Sequence, residues 1–333
     1  MNRSYCEIID ETSLITTSYM KKFIFSRIFL TAAVLIIFVI YFVLNIKQFQ
    51  LLLHIDPLFL VLIALVDVFA IFINGLFTKF ILRPFDRYIS MKESFYVSLI
   101  STVGNFFAPA GAGLGFRAVY LKKKHDLSYG KYVSILSGNY ILVFLVNSFV
   151  ALLALYLLRA HSDDQYATLV IIFGVIFVAS LIMTFVRTPP IKAERLKNHK
   201  LKSIVRSFSA VMQGWNHIIS HKRLLAQLII LTFVGLLINI VNNFLIIHTL
   251  NLHITLAPLL LLSVLGSLSL FINITPANLG VKEAIYLFSS SVIGFSTPQI
   301  LSIALVDRVV VFGVLFCLWL YFSKYKHVNA PEA

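Results

Sequence analysis

The chain has 333 residues, of which 59% are hydrophobic and 13% are charged, and its net charge at pH 7 is +14. Soluble domains carry roughly 25% charged residues, so this composition excludes an ordinary soluble domain and indicates an integral membrane protein. The positive charge alone would also suit a nucleic-acid-binding protein, but the Lys and Arg residues cluster between apolar segments. That placement is typical of membrane orientation and predicts no nucleic-acid partner.

Six apolar segments are long enough to cross a bilayer, which takes about 20 residues of helix. They lie at residues 23–44, 58–77, 130–158, 167–186, 224–247 and 299–322. The sequence therefore predicts an all-α, polytopic membrane protein with about six full spans. These form a single transmembrane domain over residues 23–322, between a tail at 1–22 and a second tail at 323–333.

The distribution of basic residues predicts which side of the membrane each loop faces. Basic residues number three in 1–22, four in 79–93 and nine in 187–223, but only one each in 45–57 and 159–166. The positive-inside rule then places both termini and the basic loop 187–223 in the cytoplasm, with the chain in the inner membrane of the cell. Trp215 and Trp319 are interpreted as members of the aromatic belts at the membrane surfaces.

Two further apolar stretches, 95–108 and 257–273, are shorter and are interrupted by Pro and Gly. With the orientation above, 95–121 must enter the membrane from the cytoplasm and return there, and 257–293 must do the same from outside. We predict two oppositely oriented re-entrant helical hairpins with tips buried in protein, because lipid does not tolerate exposed irregular backbone. The residues assigned to the tips are Pro109, Gly111, Gly113, Gly115, Pro276 and Gly280.

The two hairpins are similar to each other in sequence. Residues 114–121 align with 279–287 when one gap is allowed, which places Arg117 opposite Lys282, and Asn139 further on falls opposite Asp307. Related units of opposite orientation form an inverted repeat, which is typical of many secondary transporters. A chance match of small and apolar residues remains the alternative.

The second hairpin contains the run TPANLGVKEA at residues 275–284, and Arg308 lies in the span that follows. This run resembles the Pro-Gly-Gly-Leu-Gly-x-x-Glu-Ala pattern of the membrane (flippase) domain of bacterial lysylphosphatidylglycerol synthases and its free-standing relatives. The resemblance covers roughly residues 23–322 and implies movement of a lipid headgroup between leaflets. The family's Glu before the basic residue of the first hairpin is absent here. The chain also ends at Ala333 without the soluble aminoacyl-transferring domain, so synthase activity is not expected.

Ionisable residues at membrane depth are costly and suggest function. Arg117 and Lys282 are each predicted in the first turn of a returning hairpin arm, where free N–H groups and the helix dipole favour an anion such as phosphate. The alternative is that both side chains reach the interface or pair with acidic residues. For Asp67, in the second span, a structural hydrogen bond and a polar pathway both remain open. The candidate substrate-binding residues are Arg117, Lys282, Glu283, Asp307, Arg308 and Asn139.

One ion pair is predicted within this set, and a second, between Lys282 and Asp307, is the alternative to phosphate binding. At about 1.5 Å per residue, Glu283 and Arg308 reach similar depths from the same surface, so they are expected to pair near the bilayer midplane. Asp307 projects about 100° away from Arg308 on an ideal helix, so it can pair with Lys282 separately. An unpaired charge at that depth would cost several kcal/mol.

The leading functional interpretation is a lipid transporter or flippase for an anionic lipid or a lipid-linked headgroup. Its partner would be a membrane phospholipid or a polyprenyl-linked lipid. The alternatives are an intramembrane glycosyl- or phospho-transferase acting on a lipid phosphate, and a non-transporting scaffold for envelope synthesis. A homo-oligomer or an envelope-biosynthesis partner also remains open. No nucleotide-binding or metal-binding motif occurs, so no cofactor, no metal and no catalytic residue is predicted.

Overall fold

The computed structural model describes residue 43 and residues 55–108, 111–158, 164–185, 199–269, 271–272 and 274–323. The helices in this part of the chain are α1 (Pro57–Leu82), α2 (Met91–Phe107), α3 (Ala112–His125), α4 (Tyr129–Leu158), α5 (Asp164–Phe185), α6 (His199–Ser220), α7 (Lys222–Thr249), α8 (Leu256–Ser269), α9 (Val281–Phe288), α10 (Ser290–Ile293) and α11 (Thr297–Ser323). Short 3₁₀ turns lie at Arg83–Phe85 and Pro276–Asn278. The described residues contain no strand, which confirms the all-α prediction.

Five of the described helices, α1, α4, α5, α7 and α11, are long and apolar enough to cross a membrane. They correspond to five of the six predicted spans, and the chain is a multi-pass membrane protein. The sixth predicted span, 23–44, falls almost entirely outside the described residues. Helix α1 shows how sequence starts a span: the Asp56 side chain accepts a hydrogen bond from the Leu58 N–H, and Pro57 occupies the first turn, where no N–H is needed.

Helices α2 and α3 are the arms of the first predicted hairpin, 95–121, and helices α8 and α9 are the arms of the second, 257–293. The arms α2 and α3 pack against each other, as do α8 and α9. None of these arms exceeds 17 residues, or about 25 Å, which is less than the roughly 30 Å of a bilayer core. Short paired arms fit re-entrant hairpins, although their depth and side of entry stay predictions.

The helix packing has the reciprocal pattern that a pseudo-twofold repeat produces. Helices α1 to α4 form one unit, and α7 to α11 form the other. Helix α1, the first of one unit, packs against α7, the first of the other. Helix α4, the last of the first unit, packs against α7 and α8, and α11, the last of the second unit, packs in the corresponding way against α1 and α2. One arm of each hairpin, α2 or α8, therefore packs against the last helix of the other unit.

Part of the predicted basic loop 187–223 is a helix. Residues 199–220 form α6, which packs closely along α4: a Cβ atom at Gly214 would overlap the Ser134 carbonyl oxygen, and the Ser134 hydroxyl donates to the Ala210 carbonyl at 2.6 Å. The helix forms because its apolar residues recur every three or four positions, which gives it one apolar face.

Trp215 lies on that apolar face, and its interpretation as an interfacial residue was wrong. The side chain is 1% exposed, and its indole N–H donates to the Thr184 carbonyl at 3.3 Å. Trp215 therefore anchors α6 to the end of α5 inside the protein. Residues 187–198 of the same predicted loop lie outside the described residues.

Candidate functional site

The tip of the first hairpin is held by close backbone packing at Gly113. The Gly113 N–H donates to the Asn105 side-chain oxygen at 2.9 Å, and its carbonyl accepts from the Ser101 hydroxyl at 2.7 Å. A Cβ atom at position 113 would overlap the Ser101 carbonyl oxygen, so only glycine allows the arms to approach this closely. The tip is fixed by contacts that a larger residue would break.

The other predicted tip residues of this hairpin have different outcomes. Gly111 caps α3 in a left-handed conformation, with φ of 68°. Gly115 lies within α3, and a Cβ atom there would meet nothing within 4 Å, so neither a turn nor a close approach requires glycine at that position. Its assignment to the tip was wrong because α3 begins earlier than the sequence suggested. Pro109 lies outside the described residues.

Arg117 is the sixth residue of α3, so it lies in the second turn and not, as predicted, in the first. The side chain is buried, with only 2% of the residue exposed. One guanidinium nitrogen, Nη1, donates to the Asn74 side-chain oxygen of α1 at 3.2 Å, whereas Nε makes no hydrogen bond within the described protein. None of the ion pairs among the described residues includes Arg117.

Helix α4 presents polar groups that are also incompletely bonded. Tyr132 and Tyr140 lie within electrostatic range of the Arg117 guanidinium. The Tyr132 hydroxyl and the Asn139 side-chain oxygen are buried and make no hydrogen bond within the described protein. Tyr132 and Asn139 are seven residues apart and so lie on one face of α4. The environment of Arg117 is therefore polar but contains no carboxylate that pairs with it.

The tip of the second hairpin is held by Arg308 of α11. Both terminal nitrogens of its guanidinium bond to the Glu283 carboxylate, with Nη2 2.8 Å from Oε2. Nη2 also donates to the Asn278 carbonyl at 3.3 Å, and Nε lies 3.5 Å from the Ala277 carbonyl. The predicted Glu283–Arg308 ion pair is confirmed. Its additional contacts show that Arg308 holds the irregular turn before α9 in place.

Glu283 also caps the helix that contains it. Its Oε2 atom accepts the Gly280 N–H at 2.8 Å, at the start of α9, where backbone donors are otherwise unpaired. Gly280 has φ of 83°, a conformation that favours glycine. Pro276, the other predicted tip residue, opens the 3₁₀ turn that precedes it. The tip of the second hairpin thus depends on one buried ion pair and one glycine.

Lys282 is the second residue of α9, in the first turn as predicted. Its ammonium group lies 2.7 Å from Asp307 Oδ2, and Oδ1 of the same carboxylate accepts from the Asn242 side chain at 3.2 Å. The alternative interpretation, pairing with Asp307, is therefore the one that the structure contains. Lys282 and Arg117 occupy aligned positions, but only Lys282 is neutralised by a carboxylate.

A small cavity lies between α1, α2 and α11. Its volume is about 150 Å³, and its polar lining residues are Asp67, Asn74 and Thr102. The Oδ2 atom of Asp67 is buried without a hydrogen bond in the described protein, and the carboxylate lies within electrostatic range of Lys282 and Asp307.

Asp67 and Asn74 are seven residues apart, or about 10 Å along one face of α1. Asn74 bonds to Arg117, while Asp67 lies near the Lys282–Asp307 pair. We call these residues, from Arg117 through Asn74 and Asp67 to the Lys282–Asp307 pair, the polar track. The track lies along one face of α1, where Asn74 is exposed and Asp67 is partly buried. The Oδ2 atom of Asp67 has no hydrogen bond in the described protein, which favours the polar-pathway interpretation of Asp67.

Sequence reasoning missed Asn74, Asn242 and Tyr132 as site residues. Arg117 donates a hydrogen bond to Asn74 of α1, and Asp307, the partner of Lys282, accepts one from Asn242 of α7. Helices α1 and α7 are the first helices of the two repeat units. The available signal was an asparagine within an otherwise apolar span, which is costly in lipid unless it faces a protein partner.

The model of the family described as lysylphosphatidylglycerol synthase TM region matches residues 28–318 of this chain. No curated protein sequence matches the chain, and no solved structure matches it. The family match covers helices α1 to α10, both hairpins and α11 as far as residue 318. The chain therefore belongs to the lysylphosphatidylglycerol synthase transmembrane-region family.

Proposed function

We propose that this protein moves a lipid with an anionic headgroup between the leaflets of the inner membrane, and that Arg117 receives the headgroup. The observation that carries the proposal is the state of Arg117: a buried guanidinium that pairs with no carboxylate among the described residues. A buried, unpaired cation costs several kcal/mol, so a protein retains one where an anion compensates it.

The asymmetry between the hairpins supports this choice of residue. Lys282 already has a carboxylate partner at 2.7 Å, and Arg308 is engaged by Glu283 and two backbone carbonyls. We infer that these residues position the second hairpin, while Arg117 contacts the substrate. Asp67 and Asn74 would then offer polar contacts to a headgroup that leaves Arg117 along the polar track.

The recognised chemistry is a phosphate on a lipid, because a guanidinium binds phosphate oxygens through charge-assisted hydrogen bonds. A phospholipid and a polyprenyl-linked lipid both present that group. We further propose that both termini are cytoplasmic and that the chain carries out transport without a catalytic step.

The test is reconstitution into liposomes, with leaflet-specific quenching of a panel of labelled anionic and zwitterionic lipids. Arg117→Gln should slow exchange of the anionic substrate about tenfold or more, because it removes a hydrogen bond to a charged group. Lys123→Gln, an exposed change on the same helix, serves as the matched control and should leave the rate unchanged.

Equal exchange in the Arg117→Gln and Lys123→Gln variants would exclude Arg117 as the headgroup residue. Mass spectrometry of the lipids after the assay separates transport from catalysis. A new lipid product that depends on the protein would favour the transferase alternative.

A further inference from the structure

A second, larger cavity opens at the other end of the α1–α7 pair, away from the polar track. Its volume is about 410 Å³, within the range of small-ligand sites. It lies where α1 ends and α7 begins, and it shares no lining residue with the cavity beside Asp67. The topology prediction places this end of both helices at the cytoplasmic surface.

Four basic side chains line this cavity: Lys79 and Arg83 from the end of α1, and His221 and Arg223 from the start of α7. No Asp or Glu contributes to the lining. Among the described residues, Lys79, Arg83 and Arg223 form no ion pair. The positive-inside rule explains cations on this side of the membrane, but not their convergence on one cavity without counter-charges.

The cavity also has an apolar part. Phe80, Ile89 and Leu224 line it, and the last two are almost completely buried. The Arg83 guanidinium lies 4.9 Å from the centre of the Phe80 ring, which orients it by a cation–π contact. The first N–H groups of α7 add positive potential at the same place. Basic groups beside an apolar wall suit a ligand with a charged head and a hydrocarbon tail.

We propose that this cavity binds the phosphate of an anionic phospholipid from the cytoplasmic leaflet, as a lipid site separate from the hairpins. Basic pockets between membrane helices on the cytoplasmic side are suited to such headgroups. The site joins the first helices of the two repeat units, so a bound lipid bridges α1 and α7. The two cavities are lined by different residues, so substitutions can alter this site without changing the polar track.

The experiment measures lipid binding to detergent-solubilised protein by native mass spectrometry, with phosphatidylglycerol, phosphatidylcholine and sodium phosphate as probes. The triple variant Lys79→Gln/Arg83→Gln/Arg223→Gln should lose about a hundredfold in affinity for phosphatidylglycerol. The matched control, Arg87→Gln/Lys92→Gln/Lys123→Gln, removes equal charge outside the cavity and should retain wild-type affinity. Neither variant should change the weak binding of phosphatidylcholine.

Arg223→Glu provides a single change that preserves the fold, because the residue is exposed and an acidic side chain suits the first turn of a helix. It should also weaken phosphatidylglycerol binding relative to the wild-type protein. Equal losses in the two triple variants would overturn the proposal in favour of diffuse surface attraction. Displacement of phosphatidylglycerol by millimolar sodium phosphate would assign the cavity to a free anion and would equally overturn the lipid site.

Discussion

The basic residues of the two hairpins, Arg117 and Lys282, occupy aligned positions but have different electrostatic partners. Lys282 contacts Asp307, whereas the residue aligned with Asp307 in the first repeat unit is the neutral Asn139. The Asp307 carboxylate offsets the positive charge of Lys282. The amide of Asn139 has no charge with which to offset that of Arg117. Among the described residues, the two hairpins therefore differ in whether their basic residue is paired with a carboxylate.

The Glu283–Arg308 pair is predicted to be essential for the stability of the second hairpin. Both groups are largely buried, and removing either one leaves an uncompensated charge, which typically costs about 3–5 kcal/mol. Glu283→Gln and Arg308→Gln should therefore each lower the melting temperature of the solubilised protein. The double variant should be less destabilised than the sum of the two, which a double-mutant cycle measures.

The exposed pair formed by Lys122 and Asp126 is the control for this cycle. Neutralising either residue should leave the melting temperature unchanged, because water solvates the remaining charge. Strictly additive effects at Glu283 and Arg308 would contradict the contact between them.

At the scale of elements, the two hairpin tips are held by different means. Close glycine packing holds the first tip, and an arginine that binds backbone carbonyls holds the second. Gly113→Ala should therefore destabilise the first hairpin, because its Cβ atom would overlap the Ser101 carbonyl oxygen. Gly115→Ala is two residues away in the same helix and should raise stability by about 0.5–1 kcal/mol, since alanine favours helix and the site is open.

Thermal unfolding of the two alanine variants in one detergent compares them directly. If Gly115→Ala were as damaging as Gly113→Ala, the arms would not pack as the structure describes.

Sequence predicted the long spans and the short arms because apolar length is set by bilayer thickness. It did not predict α6, because the basic residues before position 207 suggested a loop. The apolar residues of this helix, which include Trp215 and Ile218, form a stripe too short to indicate a membrane span. Helical geometry was enough to predict the Glu283–Arg308 pair of the second hairpin and to identify Asp307 as a possible partner of Lys282. The bond from Arg117 to Asn74 was not, because it joins residues 43 positions apart through tertiary packing alone.

At the scale of the whole molecule, the reciprocal packing of the two repeat units predicts opposite insertion of the hairpins. Ser128 follows the first hairpin and Ser296 follows the second, so single cysteines at these positions should lie on opposite sides of the membrane. The native Cys6 and Cys317 are first replaced by serine. An impermeant thiol reagent applied from outside should label the cysteine at 296 and spare the cysteine at 128. Labelling of both from the same side would refute the inverted repeat.

The central claim, that the chain transports a lipid by binding its anionic headgroup at Arg117, is tested most directly by the exchange rate of a labelled anionic lipid in liposomes containing Asn139→Asp. Asn139 aligns with Asp307 and is next to Tyr140, which lies within electrostatic range of Arg117. We therefore expect an aspartate at position 139 to pair with Arg117 and to compete with the headgroup. We predict an unchanged or higher melting temperature with exchange slowed about tenfold, while Asn139→Ala keeps its rate. Wild-type exchange in the Asn139→Asp protein, or equal loss in both variants, would contradict the account.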